Sequence, residues 1–361
     1  MDNFEHLSAN VEPVLTMLNR APSIKLMVTS RERLNVREER LFVIHGLAVP
    51  NHDDVIKLQR KFDVSELSDY SSLQLFTERA QRVQPNFRLS PDNLQDVVRI
   101  CQLVAGIPLG IELAAGWLRV LTCSQIYEEI CRNISFLSSP LRDIPERHRS
   151  MDAVLEQSWQ LLTATEQQAM RHISVFRGGF RRDAAEQITN VPLHILLSLV
   201  DKSRYQVEES GRFQLHDLLR QFASQNLAAD ESLTLQKRHA AYFTQFLLER
   251  IDFPKGNAQQ EDLEHVSLEL ANIRAAWQKI IRGSDSDTLS RLVNILWYFA
   301  DFRGWLHDVH ALLTDANLLF SERVLAQSSS SQAGNTPDKL FLVLGKLLYV
   351  QGLDRNSPWS S

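Results

Sequence analysis

The chain has 361 residues, of which 44% are hydrophobic and 23% charged, a composition typical of packed globular proteins rather than disordered chains. Its formal net charge of −5 gives no overall attraction to DNA. This net charge does not exclude a local basic patch. The length suffices for two or three domains of roughly 150 residues each.

The three cysteines and the apolar segments indicate a reduced, non-membrane environment. Cys101, Cys123 and Cys131 are odd in number and lack C-x-x-C spacing, which argues against a disulfide framework. Their apolar helical surroundings predict buried, inert thiols. The first 20 residues lack a signal peptide, and the most apolar stretch, 103–121, carries a glutamate and an arginine. We therefore expect a cytoplasmic protein without a membrane-spanning helix.

The N-terminal part predicts a fragment of a parallel α/β sheet. A helical apolar pattern over about 4–20 is followed by short apolar runs of strand length at Ile24–Ser30 and Leu41–Leu47. Parallel sheets are covered on both faces and need more strands than these. The sheet is therefore predicted to be incomplete, with its missing strands expected before Met1.

The next segment, 71–137, predicts a small all-helical subdomain. A helical pattern covers about 71–84, and Ser90 followed by Pro91 is a helix start signal. Farther on, Gly106–Leu109 (GIPL) separates two helical patterns. This motif is either a simple helix break or a tight backbone turn that can lie against a flat base.

A third region follows a linker over 138–149 that is rich in proline, serine and charge. The segment Tyr205–Leu215 alternates apolar and polar residues around Ser-Gly, which predicts a β-hairpin. Helices before a hairpin are typical of a winged helix-turn-helix. The predicted helices are 150–162, 165–175, 182–188 and 192–202, with another at 216–228 after the hairpin.

The remainder of the chain, from about 231 onward, predicts helices only. Gly304 and Gly352 each follow a run of large apolar residues, a spacing that indicates degenerate helical hairpins of the tetratricopeptide kind. The chain ends after the first helix of a further hairpin, so we expect the repeats to be incomplete. The predicted helices are 231–252, 258–282, 286–302, 305–325 and 338–351.

Three polar residues lie at positions where nucleotide-binding folds place functional side chains. Asp2 ends a strand, where an acid holds Mg²⁺ in P-loop ATPases, or it is a helix N-cap. Arg31 follows the next strand, at the edge where α/β folds bind ligands, or it is a surface arginine. His216 lies at a strand–helix junction, where histidine is usually structural. No G-x-x-x-x-G-K-[ST] loop and no convincing metal-ligand set occurs in the sequence.

The order of these motifs resembles that of bacterial STAND-type ATPases, including the LuxR-family-like transcriptional regulators, which are related to NB-ARC switch proteins. The resemblance covers residues 1 to about 350. The motifs that carry it are Met1–Leu7, Val28–Leu34, Gly106–Leu109, Ser174–Phe180, Leu199–Ser203 and Leu215–Asp217.

The resemblance implies a mostly α fold with a remnant of a P-loop-type α/β sheet. Four parts are implied: a partial nucleotide-binding α/β domain from the Walker B strand onward, a helical subdomain with a GLPL-like motif, a winged-helix domain, and incomplete tetratricopeptide-like repeats. Their predicted bounds are 1–70, 71–137, 150–229 and 231–361.

The resemblance also implies roles for single residues. Asp2 matches the Walker B acid, which is a Mg²⁺ ligand, and Arg31 matches the sensor of the γ-phosphate. Pro108 matches the residue that packs on adenine. His216 matches the histidine of the MHD-like motif, which touches the ADP phosphate and holds the closed state. The implied cofactors are ADP or ATP with Mg²⁺.

The implied function is a switch in which exchange of ADP for ATP rearranges domains. The family's phosphate loop precedes the Walker B strand and is missing from this sequence, so we expect poor nucleotide binding and no ATPase activity by this chain alone. Asn3 also replaces a second acid that many relatives have. A protein partner or small inducer is expected at the repeats, together with self-assembly.

Two other functions stay open at this point. The repeats can serve as a protein-binding scaffold beside an inert ATPase remnant. Direct DNA binding is the weaker alternative, because the candidate recognition helix Val191–Lys202 offers essentially one base-reading cation, Lys202. The sequence does not name the inducer or the effector, and it leaves open a gene fragment without function or a separate chain that supplies the phosphate loop.

Overall fold

The protein is mostly helical, as the sequence predicts. A computed structural model describes residues 1–2, 4–7, 11–21, 23–51, 54–55, 57–58, 67, 69–138, 149–202, 205–208, 210–250, 257–284, 286–303, 309, 312 and 314–316. The predicted helices at 305–325 and 338–351 lie outside these residues, apart from a few isolated positions.

The described helices follow the predicted order closely. Short 3-10 helices cover Phe4–His6, Trp117–Arg119 and Ile134–Phe136. The α-helices are α1 (Glu12–Arg20), α2 (Ser71–Val83), α3 (Pro91–Leu103), α4 (Pro108–Gly116), α5 (Cys123–Arg132), α6 (Met151–Trp159), α7 (Ala164–Ile173), α8 (Arg182–Thr189), α9 (Leu193–Asp201), α10 (Asp217–Gln225), α11 (Ala229–Leu248), α12 (Asn257–Gly283) and α13 (Ser286–Arg303).

Local capping explains where several of these helices begin. Thr122 precedes α5, and its hydroxyl accepts the backbone N–H of Gln125. Thr163 and Glu166 form the same reciprocal capping box at the start of α7. Such boxes satisfy N–H groups that the first helical turn leaves without partners. Pro91 occupies the first position of α3, which confirms the start predicted from Ser90 and Pro91.

Packing contacts divide the chain into two compact units. The first unit contains Met1–Ser174 and Val191–Leu227, and the second contains Val175–Asn190 and Ala228–Ser361. Helix α8 therefore belongs to the second unit, although α7 and α9, its neighbours in sequence, belong to the first. The four domains predicted from the sequence are a finer division and remain predictions.

The first unit is built on a core shared by α2 to α5. Phe76, Leu94, Ile111 and Ile126 are fully buried there. Leu218 at the start of α10 belongs to the same core, so the helical subdomain and the region after the hairpin pack as one body. Helix α7 packs against both α9 and α10.

The predicted hairpin is present in the first unit. Strands β1 (Tyr205–Val207) and β2 (Phe213–Leu215) pair antiparallel, with Tyr205 opposite Leu215 and Val207 opposite Phe213. The alternating apolar pattern of this segment therefore correctly predicts a hairpin.

The predicted parallel sheet is reduced to one short pairing. The N-terminal ammonium of Met1 donates to the Met27 carbonyl at 2.8 Å, and the Thr29 N–H donates to the Met1 carbonyl at 3.0 Å. The Phe4 N–H then donates to the Thr29 carbonyl at 2.9 Å. In a parallel ladder, one residue forms hydrogen bonds with two residues of the other segment that are two positions apart. Met1 does this with Met27 and Thr29.

The strand predictions for Ile24–Ser30 and Leu41–Leu47 are wrong in the described structure, where neither segment forms a strand. The physical reason is that a strand needs a continuous ladder. In the second segment the Leu47 N–H instead donates to the Gly106 carbonyl at 2.8 Å. Phe42 and Ile44 stay 91% and 82% exposed.

The second unit is helical in its described part. Helix α11 packs against α8, α12 and α13. Trp277 of α12, Phe243 of α11 and Phe299 of α13 are fully buried and fill the space between these helices. The described helices confirm the predicted helical character of the region up to about residue 303.

The structure also tests the predictions for the cysteines and for membrane-spanning helices. Cys101 and Cys123 are buried as predicted, and burial raises the pKa of the Cys123 thiol to about 11. Cys131 is exposed instead, because it lies on the outward side of α5. Within the part of the chain that the structure describes, no helix has the length and apolarity that a membrane crossing requires.

The turn before α4 depends on a glycine. Gly106 has a φ of +66°, and a Cβ atom there would lie 2.2 Å from the Leu47 carbonyl oxygen. We expect Gly106→Ala to lower the free energy of unfolding by at least about 1 kcal/mol, because alanine is strained at positive φ and meets backbone atoms. Urea unfolding of the full chain measures the change.

The matched control for this prediction is Gly116→Ala. Nothing lies within 4 Å of a Cβ atom at Gly116, which ends α4 in a helical conformation. This substitution should leave stability unchanged or raise it by up to about 1 kcal/mol. Equal effects of the two substitutions would contradict the role assigned to the turn.

Candidate functional site

The candidate site begins at the N-terminal pairing. The Asp2 carboxylate is exposed and accepts a hydrogen bond from the Thr29 hydroxyl. The two residues meet because Met1 pairs with the backbone on either side of Val28. Asp2 therefore lies beside the segment that leads to Arg31.

Arg31 is bonded to protein groups from two elements. Its Nη1 donates to the Ser158 hydroxyl oxygen at 2.5 Å and its Nη2 to the Gln157 side-chain oxygen at 3.3 Å, both on α6. Its Nε lies 3.6 Å from the buried Glu5 carboxylate. The guanidinium, about one third exposed, thus joins the N-terminal segment to α6.

The two residues after Arg31 bond to a different helix. A Glu32 carboxylate oxygen lies 3.7 Å from the Lys202 ammonium, directly after α9. The Arg33 guanidinium lies 3.3 Å from the Asp201 carboxylate, and the Arg33 N–H donates to the Asp201 carbonyl at 3.3 Å. Three consecutive residues therefore connect the N-terminal segment to α6 and to the end of α9.

The partly exposed Lys202 and the buried Glu166 form the centre of this network. The Lys202 ammonium lies 2.9 Å from a Glu166 carboxylate oxygen, and the Ser198 hydroxyl donates to the other oxygen at 2.5 Å. Burial alone would raise the pKa of Glu166, but hydrogen bonds from Ser198, Lys202 and Thr163 outweigh burial and lower this pKa to about 2. Glu166 is therefore ionised at neutral pH.

Sequence reasoning missed this network. The T-x-x-E spacing of Thr163 and Glu166 is a visible capping-box signal, but it does not reveal that the same carboxylate also binds Lys202. Beside the network lies an open cleft of about 310 Å³. The residues that line the cleft are Glu32, Arg33, Asn35, His194, Leu197, Ser198, Asp201 and Lys202.

The other two predicted site residues lie on separate elements. Pro108 is the first residue of α4, which packs against α2. His216 directly precedes α10 and is mostly buried; burial lowers the pKa of its imidazole, which the Asp217 carboxylate opposes. The Nδ1 atom of His216 is buried without a hydrogen-bond partner. The bonds given for Asp2 and Arg31 do not reach Pro108 or His216.

These residues fit a nucleotide with Mg²⁺ only in part. Mg²⁺ is often held by one or two carboxylates together with substrate phosphates, and the exposed Asp2 suits that arrangement. The unpartnered Nδ1 of His216 suits a contact with a phosphate oxygen. Arg31, by contrast, already donates to Ser158 and Gln157 and lies beside Glu5, so protein groups occupy part of its guanidinium. The described residues contain no cluster of three or more metal-ligating side chains.

Comparison with known proteins gives distant relatives. No protein-family profile matches the chain. Proteins of Mycobacterium bovis and Mycobacterium tuberculosis, provisionally named HTH-type transcriptional regulators, are 27% identical over 288 residues, which cover 77% of this chain and 30% of theirs. Another Mycobacterium tuberculosis protein, whose name states no function, is 25% identical over 255 residues, covering 66% of this chain and 60% of its own.

The chain thus spans 30% of the length of the first of these relatives. A similar solved structure is that of a Signal Transduction ATPase with Numerous Domains (STAND) protein with a tetratricopeptide repeat sensor from Pyrococcus horikoshii. It is 15% identical and covers 98% of this chain and 51% of its own, with a TM-score of 0.27.

The network predicts a specific pH dependence. Because the Glu166 pKa is about 2 in the folded protein and 4.5 ordinarily, its contribution to stability is present above about pH 4.5 and is lost as the pH falls towards 2. Glu166→Gln should lower the free energy of unfolding at pH 7 by on the order of 3 kcal/mol. This deficit should shrink over that pH range, which denaturant unfolding at several pH values measures.

Glu156→Gln is the control for this prediction, because it removes the same charge from an exposed position on α6. It should leave the free energy of unfolding nearly unchanged at every pH. A deficit of Glu166→Gln that stays constant from pH 7 to pH 2 would show that the Glu166 carboxylate does not titrate as described.

Proposed function

We propose that this chain is the regulatory switch module of a STAND-type nucleotide-gated signalling protein or transcriptional regulator. It acts in the cytoplasm through ADP/ATP-dependent rearrangement and protein–protein contact, and it does not hydrolyse ATP by itself. The observation that carries this proposal is the connection of Arg31, Glu32 and Arg33 to α6 and α9. A change in the position of this segment would therefore alter its contacts with both helices.

The strength of these contacts suits a switch. Exposed ion pairs such as Arg33–Asp201 contribute about 0–1 kcal/mol each, so they are readily exchanged. The Arg31 bonds to Ser158 and Gln157 are stronger because the donor is charged and partly buried. A ligand shifts such an equilibrium only by its differential affinity for the two states, which is a few kcal/mol for useful switching.

The resemblance assigns a role to each candidate residue. Asp2 would hold Mg²⁺, Pro108 would pack on the adenine, and His216 would contact a phosphate oxygen. The bound nucleotide would supply a concentrated negative charge. Arg31 would then exchange the neutral oxygens of Ser158 and Gln157 for a charged phosphate oxygen, which is the stronger acceptor. This exchange would release α6 from the N-terminal segment.

The names of the mycobacterial relatives support a role in transcription regulation, although those proteins are much longer than this chain. We propose that the regulation runs through protein contacts rather than direct DNA reading. Lys202, the one base-reading cation expected on the candidate recognition helix, is bonded to Glu166 and Glu32. The exposed positions that remain on α9 include His194 and Leu197, which suit packing better than major-groove readout.

A titration with fluorescent ADP and Mg²⁺ tests the nucleotide part of the proposal. We expect no saturable binding below about 1 mM, which corresponds to less than about 4 kcal/mol, because the sequence contains no phosphate-binding loop. Turnover of ATP above about 1 per second, an ordinary enzyme rate, would contradict the non-enzymatic role. The same titration with His216→Ala and with the exposed control His45→Ala should give the same result.

Micromolar ADP binding that His216→Ala weakens and His45→Ala does not would overturn the expected weak binding. It would mean that the residues present already form a nucleotide pocket in this chain. The switch role would then be assigned to the chain by itself.

Substitution of Arg31 tests the mechanical part of the proposal. Arg31→Ala should destabilise the local attachment of α6 by about 1–2 kcal/mol, because it removes charge-assisted hydrogen bonds to Ser158 and Gln157. Amide hydrogen exchange of the full chain should therefore become faster in Met151–Trp159. Arg20→Ala, which removes an exposed arginine at the end of α1, is the matched control. Unchanged exchange in α6 would refute the connection.

A further inference from the structure

The sequence motif Ser174–Phe180 has no role in the proposed function. In the structure, the glycine-containing turn of this motif and helix α8 together make up Val175–Asn190, which belongs to the second unit. The chain enters this segment from α7 and leaves it into α9, both of the first unit. The segment is therefore joined to the first unit by the covalent chain at both of its ends.

One buried side chain of α12 holds the turn at two points. The Arg177 N–H donates to the Asn272 side-chain oxygen at 2.7 Å, and the Asn272 side-chain nitrogen donates to the Gly179 carbonyl at 2.8 Å. The same nitrogen donates to the Glu269 carboxylate at 2.8 Å, and Asn272 is fully buried. A side-chain amide has the donor and acceptor of a peptide group, so Asn272 binds the turn as a neighbouring strand would.

The backbone of the turn fits this helix closely. Gly178 has a φ of +67°, and a Cβ atom there would lie 2.9 Å from the Cβ of Ala271 on α12. Gly179 also has a positive φ, of 88°. The two glycines therefore let the turn approach α12 to a distance that another residue at 178 would not allow.

Helix α11 holds the same segment from another side. Phe176 stacks on Phe180 with ring centroids 4.7 Å apart, and the His239 ring contacts Phe176 edge-on at 5.6 Å. Burial lowers the pKa of His239 to about 4, so this contact is uncharged at neutral pH. The Tyr242 hydroxyl donates to the Asp183 carboxylate of α8 at 3.0 Å. Both α11 and α12 thus determine the position of the segment.

The segment's two ends continue into helices that are bonded to each other. Glu166 of α7 accepts hydrogen bonds from Ser198 of α9 and from Lys202 directly after α9. Lys202 and Asp201 in turn bond to Glu32 and Arg33. A displacement of the segment would therefore act on α7 and α9 through the covalent chain.

We propose that Val175–Asn190 is a coupling element that transmits a rearrangement of α11 and α12 to the α7–α9 pair and to the segment that contains Arg31. The inference rests on the proposed function, because a switch needs a part that carries changes between the two units. It adds the identity of that part and the residue, Asn272, that attaches it to the second unit.

Hydrogen-exchange mass spectrometry of the full chain, without nucleotide, tests the coupling. Asn272→Leu removes both bonds to the turn, and the bond to Glu269, at similar side-chain size. Gly178→Ala disturbs the same turn without a substitution in α12. We expect each variant to exchange at least tenfold faster in 175–190, and also, by a smaller factor, in α7 and α9. Exchange in α2 to α5 should stay unchanged.

Two control variants keep the comparison matched. Gln278→Leu, on the same helix as Asn272, removes an exposed side-chain hydrogen bond to Asp315. Gly283→Ala places a methyl group where nothing lies within 4 Å. Neither control should change exchange in 175–190, α7 or α9.

Faster exchange confined to the second unit would overturn the coupling, since the segment would then be only a local part of that unit. Equal acceleration in α2 to α5 would also overturn it, because the variants would act by global destabilisation. Since no nucleotide is present, these outcomes are independent of the ADP titration. Failure of the coupling is therefore distinguishable from failure of the proposed nucleotide switch.

Discussion

The ion pair between Lys202 and the buried Glu166 is the constraint on which the arrangement of the first unit depends. Glu166 begins α7 as part of a capping box, and its carboxylate also receives Ser198 and Lys202. Loss of the Lys202 ammonium would leave the buried Glu166 carboxylate without an opposite charge, which is far costlier than loss of an exposed pair. The Lys202 ammonium also lies 3.7 Å from the Glu32 carboxylate, so the same pair helps to position the N-terminal segment.

The strong centre and the weak periphery of this network have different consequences. The centre keeps α7 and α9 together, whereas the peripheral contacts of Arg31 and Arg33 are partly exposed and can be exchanged. Exchange of the peripheral contacts therefore does not require the pair at the centre to break. In the coupling that we propose, the segment held by Asn272 is joined to α7 and α9 by the covalent chain.

Local patterns predicted the described helices and the hairpin correctly, but not the strands. The run Leu41–Leu47 has strand composition, yet strand formation depends on a neighbour that supplies hydrogen bonds, which this segment does not find in the described structure. Of the predicted site residues, Asp2 and Arg31 lie in segments joined by the backbone pairing around Val28. Pro108 and His216 lie elsewhere, and the roles of all four remain predictions.

The sequence by itself determined the features whose partners lie within a few residues. Capping boxes, prolines at helix starts and the alternation around the hairpin belong to this group, because each depends on residues within about ten positions of one another. Only the tertiary structure decided which distant groups meet. Asn272 binds a turn 95 positions away at Arg177, and Lys202 reaches Glu166 across 36 positions. Such pairs leave no periodic signal, because packing of whole helices, not local spacing, brings them together.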